Sequence, residues 1–124
     1  MDAWRVLLVD DEKEFVSTLA ERLALRGIVV DVANRGEEAI QRIAEATPQV
    51  VVLDLMMPGM SGLAVLDQIK TEHPDVKVIL LTGMGSVGDG IKGKKMGAFD
   101  YLMKPLEIEG LIKTIREAII GKLG

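Results

Sequence analysis

The chain has 124 residues, 48% of them hydrophobic and 27% charged, with a formal net charge of −4. That is the length and balance of one soluble domain, which excludes a disordered chain and gives nucleic-acid binding no clustered Lys and Arg to rest on. Cysteine is absent, which rules out disulfides, thiolate metal sites and cysteine nucleophiles.

The opening residues Met1-Asp2-Ala3-Trp4-Arg5 lead into a short apolar run, Val6-Leu7-Leu8-Val9. The run is too short for a signal peptide or a membrane span, so a cytoplasmic protein without membrane contact is expected. It ends at Asp10-Asp11-Glu12, and a helix follows with Phe15, Leu19 and Leu23 on one face, stopped by Gly27. Ile28-Val29-Val30 forms the second apolar run, and Ala39, Ile40, Ile43 and Ala44 mark the second helix. After Pro48, the third run Val50-Val51-Val52-Leu53 ends at Asp54. Leu63, Leu66 and Ile69 mark the third helix, and Pro74 precedes the run from Val76 to Leu81, which ends at Thr82-Gly83. A glycine-laced segment leads to the fifth run, Phe99 to Met103, which ends at Lys104-Pro105. Ile108, Leu111, Ile112, Ile115 and Ile119 outline a last helix.

Most of the apolar runs lack clean alternation, as strands do when both faces of a parallel sheet are covered. Five strands alternating with helices predict an α/β fold, a doubly wound (βα)5 flavodoxin-like three-layer sandwich of strand order 2-1-3-4-5, in a single domain over residues 1–124. Ligands of such folds bind beyond the carboxyl ends of the strands, at the switch point between strands 1 and 3. Asp10-Asp11-Glu12, Asp54, Thr82 and Lys104 all stand at such ends.

Carboxylates crowded at one rim repel one another unless a cation compensates. An all-oxygen set without Cys or a nearby His suits a hard ion that keeps several waters, hence Mg²⁺, with Asp10 and Asp11 as metal-binding residues and Asp54 shared. Lys104 supplies a mobile positive charge, Thr82 a hydroxyl donor, and Gly83 leaves room for an incoming group. A carboxylate so flanked is equipped to accept a phosphoryl group, since that reaction needs mainly positioning and charge neutralisation.

The motifs Leu8-Val9-Asp10-Asp11-Glu12, Leu53-Asp54-Leu55-Met56-Met57-Pro58-Gly59-Met60-Ser61-Gly62, Leu81-Thr82-Gly83 and Asp100-Tyr101-Leu102-Met103-Lys104-Pro105 resemble, in order and spacing, the receiver domain of two-component response regulators. The resemblance implies that a histidine kinase or histidine phosphotransfer protein phosphorylates Asp54. The receiver would catalyse only its own phosphorylation and dephosphorylation, a signalling phosphoacceptor and not an enzyme acting on other molecules. It further implies Mg²⁺ held by Asp11, Asp54 and the backbone carbonyl of Met56, with Asp10 acting through water. Tyr101 would be an aromatic switch that turns inward as Thr82 moves toward the phosphoryl group. The Lys104-Pro105 bond would be cis, and the signalling face would be built from the fourth helix, fifth strand and fifth helix. That face would meet an output domain or docking protein, or a second phosphorylated copy.

Plainer readings exist for single residues. Asp10 alone could be a helix N-cap and Tyr101 a packed strand residue. His73 reads as a solvated helix end, and the methionines as core filler. Trp4 reads as a cover for the sheet's edge or bottom.

Two features depart from the family's pattern. Gly88, Gly90 and Gly93 fall within the expected fourth helix, each costing up to about 1 kcal/mol relative to Ala, so that helix is expected to be short, frayed or ordered only on phosphorylation. Met56 and Met84, two residues after Asp54 and Thr82, give the family's water-tuning positions side chains that orient water poorly, which predicts slow dephosphorylation.

Three rival functions compete. A haloacid-dehalogenase-type phosphatase expects a second Asp where Met56 stands. A flavodoxin-like flavin carrier needs a Ser, Thr and Gly rich phosphate loop where Asp10-Asp11-Glu12 stands. A receiver-like protein-binding module that works without phosphorylation would keep the acidic pocket as a relic.

Overall fold

The computed structural model describes residues 3–121. Met1, Asp2 and the stretch Lys122 to Gly124, which the sequence reading included in the domain, lie outside the described residues. Five parallel strands form one sheet in the order β2-β1-β3-β4-β5. They are β1 Arg5–Val9, β2 Val29–Ala33, β3 Val50–Asp54, β4 Lys77–Thr82 and β5 Asp100–Met103. The helices are α1 Lys13–Ala24, α2 Gly36–Glu45, α3 Gly62–Glu72, α4 Val87–Lys95 and α5 Ile108–Ile120, and a 3-10 turn at Met84–Ser86 precedes α4. Among the described residues no helix is long and apolar enough to cross a membrane.

The missing alternation in the sequence has a direct cause. Leu7, Val9, Val51, Leu53, Val78 and Leu80 face one core with residues of α2 and α3, while Val6, Leu8, Val50, Val52, Ile79 and Leu81 face a second core with residues of α1 and α5. Both faces of the sheet are buried, so both sets of positions are apolar. On α1 the buried face is Val16, Leu19 and Leu23, and Phe15 packs at its border. Trp4 lies against the same core, and its carbonyl accepts a hydrogen bond from the Val29 amide at the start of β2.

The ladder fixes the rim. Leu53 and Val9 pair across β1 and β3, and Asp54 pairs with Leu81 across β3 and β4. The Asp10 amide donates to Ala33 O at 3.0 Å, and the Lys104 amide to Thr82 O at 2.8 Å. Each polar residue thus begins where its strand's apolar run stops, and the ladder holds them side by side.

The fourth helix is short, as the sequence predicts, and its nine residues are continuous. Gly90 and Gly93 are buried on its inner face. A Cβ at Gly93 would run into the Leu80 side chain, so the glycine lets α4 approach β4 more closely than any other residue would allow. Close packing offsets the weak helix propensity that the sequence alone displays.

Candidate functional site

Asp10 and Asp54 stand at the ends of neighbouring central strands and are almost fully buried, 1% and 3% exposed. Each spends one oxygen on the chain itself. Asp10 Oδ1 accepts from the Glu12 amide at 2.9 Å, and Asp54 Oδ1 accepts from the Met56 amide at 3.0 Å. These two-residue turns fix the carboxylates and leave both Oδ2 atoms available to Lys104. Lys104 Nζ lies 2.9 Å from Asp10 Oδ2, 2.8 Å from Glu12 Oε1 and 3.6 Å from Asp54 Oδ2. It also sits 4.4 Å above the centre of the Phe15 ring, a cation–π contact that adds a wall to its cage.

Asp10 is therefore not an N-cap. The N-cap of α1 is Glu12, which makes no side-chain cap.

The electrostatics follow from this packing. Burial pushes the Asp54 carboxyl up from 3.8 to about 6, and repulsion from Asp10 and Asp11 adds to it; the Met56 amide and Lys104 pull the other way without cancelling the rise. Burial works against the charge of Lys104, but its hydrogen bonds to Glu12 and Asp10 and the charges of Asp10 and Asp54 outweigh that, so it holds its proton more tightly than an ordinary lysine. One ammonium faces three carboxylates, and the site keeps an excess of negative charge.

Oxygens of Asp10, Glu12 and Asp54 lie within 4.8 Å of one another. Hard, all-oxygen and net negative, this set fits a divalent cation such as Mg²⁺. Thr82 completes the rim. It is fully enclosed, and among the described residues its Oγ1 is the buried side-chain oxygen or nitrogen without a hydrogen-bond partner. An orphaned buried hydroxyl costs stability, which a group arriving in the pocket would relieve.

Comparison with known proteins decides the family. Residues 6–116 match the family described as the response regulator receiver domain. The chain belongs to the receiver domain family of two-component response regulators. It is 38% identical over 112 residues to the response regulator MprA of Mycobacterium leprae, covering 90% of this chain and 49% of that protein. It is 37% identical over 114 residues to the DNA-binding transcriptional regulator NtrC of Escherichia coli, covering 92% of this chain and 24% of that protein. The chain thus spans about half or less of these relatives. A receiver domain from Clostridium thermocellum superposes with a TM-score of 0.91 at 34% identity, covering 94% of each chain.

The receiver is a signalling domain, the phosphoryl-accepting switch of two-component regulation. Of the residues picked out by sequence, the structure brings Asp10, Asp54 and Lys104 into one cluster and encloses Thr82 beside them. Asp11 is exposed and stands outside the group of close carboxylate oxygens, where Glu12 takes part instead. Met56 contributes its amide to Asp54, and the residue is 63% exposed. Tyr101 is half-buried on β5, opposite Leu80, and its ring packs on the core beneath α4. The Lys104-Pro105 peptide is cis.

Sequence reasoning passed over Glu12 and Phe15 as partners of Lys104. The run Asp10-Asp11-Glu12 carried the signal for the first. Nothing in the sequence distinguishes Phe15 from any other core-facing helix residue. Gly62 has no positive φ; a Cβ there would lie 2.6 Å from Leu55 Cα and 3.0 Å from Asp54 O. Its role is close approach of α3 to the end of β3.

Proposed function

We propose that Asp54 accepts a phosphoryl group from a phosphohistidine, with Mg²⁺ as cofactor, and that the receiver promotes both this transfer and the later hydrolysis of the aspartyl phosphate, in which water takes the phosphoryl group as inorganic phosphate. The observation that carries the reading is the burial of Asp54 in a pocket whose only nearby ammonium, among the described residues, is shared with two other carboxylates.

In the transfer, Asp54 Oδ2 attacks phosphorus and the phosphorus–nitrogen bond of the donor histidine breaks, leaving its electron pair on the imidazole. Asp10, Asp11 and Asp54, with Glu12 close by and the Met56 carbonyl, would hold the cation, which supplies charge neutralisation for the phosphoryl oxygens. Lys104 leaves Glu12 to pair with a phosphoryl oxygen. The Thr82 hydroxyl gains the acceptor it lacks by donating to another. As Thr82 moves toward the phosphoryl group, Tyr101 turns and the surface of α4, β5 and α5 changes shape. A histidine kinase or histidine phosphotransfer protein is the donor, and an output domain, a docking protein or a second copy reads the altered face.

Incubation with acetyl phosphate and Mg²⁺ followed by intact mass tests this. One phosphoryl mass should appear on the native chain and be absent from Asp54→Asn; an unmodified native chain would favour the phosphorylation-independent binding module instead.

A further inference from the structure

Gly90, in the first half of α4, touches both halves of the proposed switch at once. A Cβ built there would lie 2.9 Å from Tyr101 Cγ, 3.0 Å from Tyr101 Cδ2 and 3.0 Å from Thr82 Cγ2. Carbon atoms in good contact stand roughly 3.5–4.0 Å apart, so neither neighbour can stay where it is if a methyl group is added. Nor can either yield easily. Tyr101 Cγ is the ring atom nearest the backbone and moves only if the whole ring swings, and Thr82 is enclosed on all sides. The Thr82 methyl therefore lies close to where a side chain at position 90 would begin, while its hydroxyl has no hydrogen-bond partner.

From this we infer that Gly90 is the positioning residue of the switch: its bare Cα is the seat beside which Thr82 and Tyr101 rest together before Thr82 moves. The inference deepens the proposed function and rests on it for the direction of movement. When Thr82 leaves toward the phosphoryl group, the seat is vacated on one side and the Tyr101 ring loses its neighbour. A side chain at position 90 would crowd the arrangement described, and so favour one in which Thr82 and Tyr101 have moved away. The helix needs no glycine here for a positive φ, since Gly90 is not among the residues with one. Its absent side chain is explained by these two contacts.

Gly88 is the internal control, because it lies in the same helix and a Cβ there would meet nothing within 4 Å. Gly90→Ala should shift the Tyr101 ring resonances of the unmodified protein. It should also tighten binding of the phosphoryl mimic beryllium trifluoride, with Mg²⁺, at least about fivefold. Gly88→Ala should leave both as in the wild type. In a Tyr101→Ala background the effect of Gly90→Ala on mimic affinity should shrink, because one of the two crowded contacts is gone. Unmoved Tyr101 resonances, or equal effects of Gly88→Ala and Gly90→Ala, or full additivity with Tyr101→Ala, would each overturn the inference. Should Gly90→Ala alone fail to fold, recovery of folding in the Tyr101→Ala background supports it and failure there overturns it. A wild-type chain that neither binds the mimic nor gains mass from acetyl phosphate refutes the role of Asp54 instead, and the ring resonances still decide the role of Gly90.

Discussion

Lys104 Nζ stands 3.6 Å from Asp54 Oδ2, farther than from either of its other two acidic partners. The ammonium is thus held chiefly by Asp10 and Glu12, and Asp54 is the carboxylate it neutralises least. Burial of Asp54 therefore outweighs the nearby lysine, and its carboxyl titrates high.

Removing the ammonium should expose the cost it offsets. Lys104→Met leaves Asp10 and Asp54 buried without a cation, and roughly 3 kcal/mol of stability should be lost in the absence of metal. Urea unfolding in EDTA and then in excess Mg²⁺ checks this. The deficit should narrow when the cation is added, because a divalent ion replaces part of the missing charge.

Asp54 should make the metal-free protein less stable at neutral pH. Its carboxyl titrates at about 6 in the fold against 3.8 ordinarily. Between those values the native state holds a proton that the unfolded chain has released, so stability rises as pH falls through 6. Above 6 the penalty is complete, at most about 3 kcal/mol. Asp54→Asn should therefore exceed the wild type in stability at pH 7 in EDTA, and the gap should close toward pH 4. A gap that widens on acidification would show that the carboxyl titrates low. Protons and the cation compete for the same oxygens, so stabilisation of the wild type by Mg²⁺ should weaken over the same range.

The glycines of α4 should separate by context. Gly88→Ala gains helix propensity in open space and should stabilise by up to about 1 kcal/mol. Gly93→Ala gains the same propensity, but its Cβ meets Leu80 directly, with Leu63 Cδ2 at 3.4 Å and Leu66 Cδ2 at 3.5 Å. Overpacking of that kind costs about 1–3 kcal/mol, so this variant should be the less stable of the two. Thermal unfolding of the pair decides whether propensity or packing governs this helix.

The same contrast shows what the sequence could reveal. Strand order and the placement of Asp10, Asp54, Thr82 and Lys104 were legible because apolar runs end where the chemistry begins, and a parallel sheet aligns those ends. The meaning of Gly90 and Gly93 was not, since a glycine in a helix reads as a local weakness until the neighbouring strand is in place. Nor was the grip of Glu12 on Lys104, which joins residues 92 positions apart. Local propensity is written in consecutive residues, whereas close approach depends on residues far along the chain.

The mouth of the pocket should set the lifetime of the switch. Met56 and Met84 are 63% and 84% exposed, and they follow Asp54 and Thr82 at the open side of the rim. A thioether is a weak acceptor and no donor, so neither side chain can hold a water in line with phosphorus. Both are also long and flexible enough to hinder the approach of one. Phosphorylated Asp54 should hydrolyse slowly in the wild type and several times faster in Met56→Asn, whose amide both donates and accepts. The decay of phosphoryl mass after removal of acetyl phosphate measures this, with urea midpoints of the unphosphorylated proteins compared in parallel. Because Met56 is exposed, the substitution should leave stability within about 0.5 kcal/mol, and a change in lifetime then reports on water and not on folding. An unchanged lifetime in Met56→Asn would mean that access is governed elsewhere, and Met84→Asn would be the next position to examine.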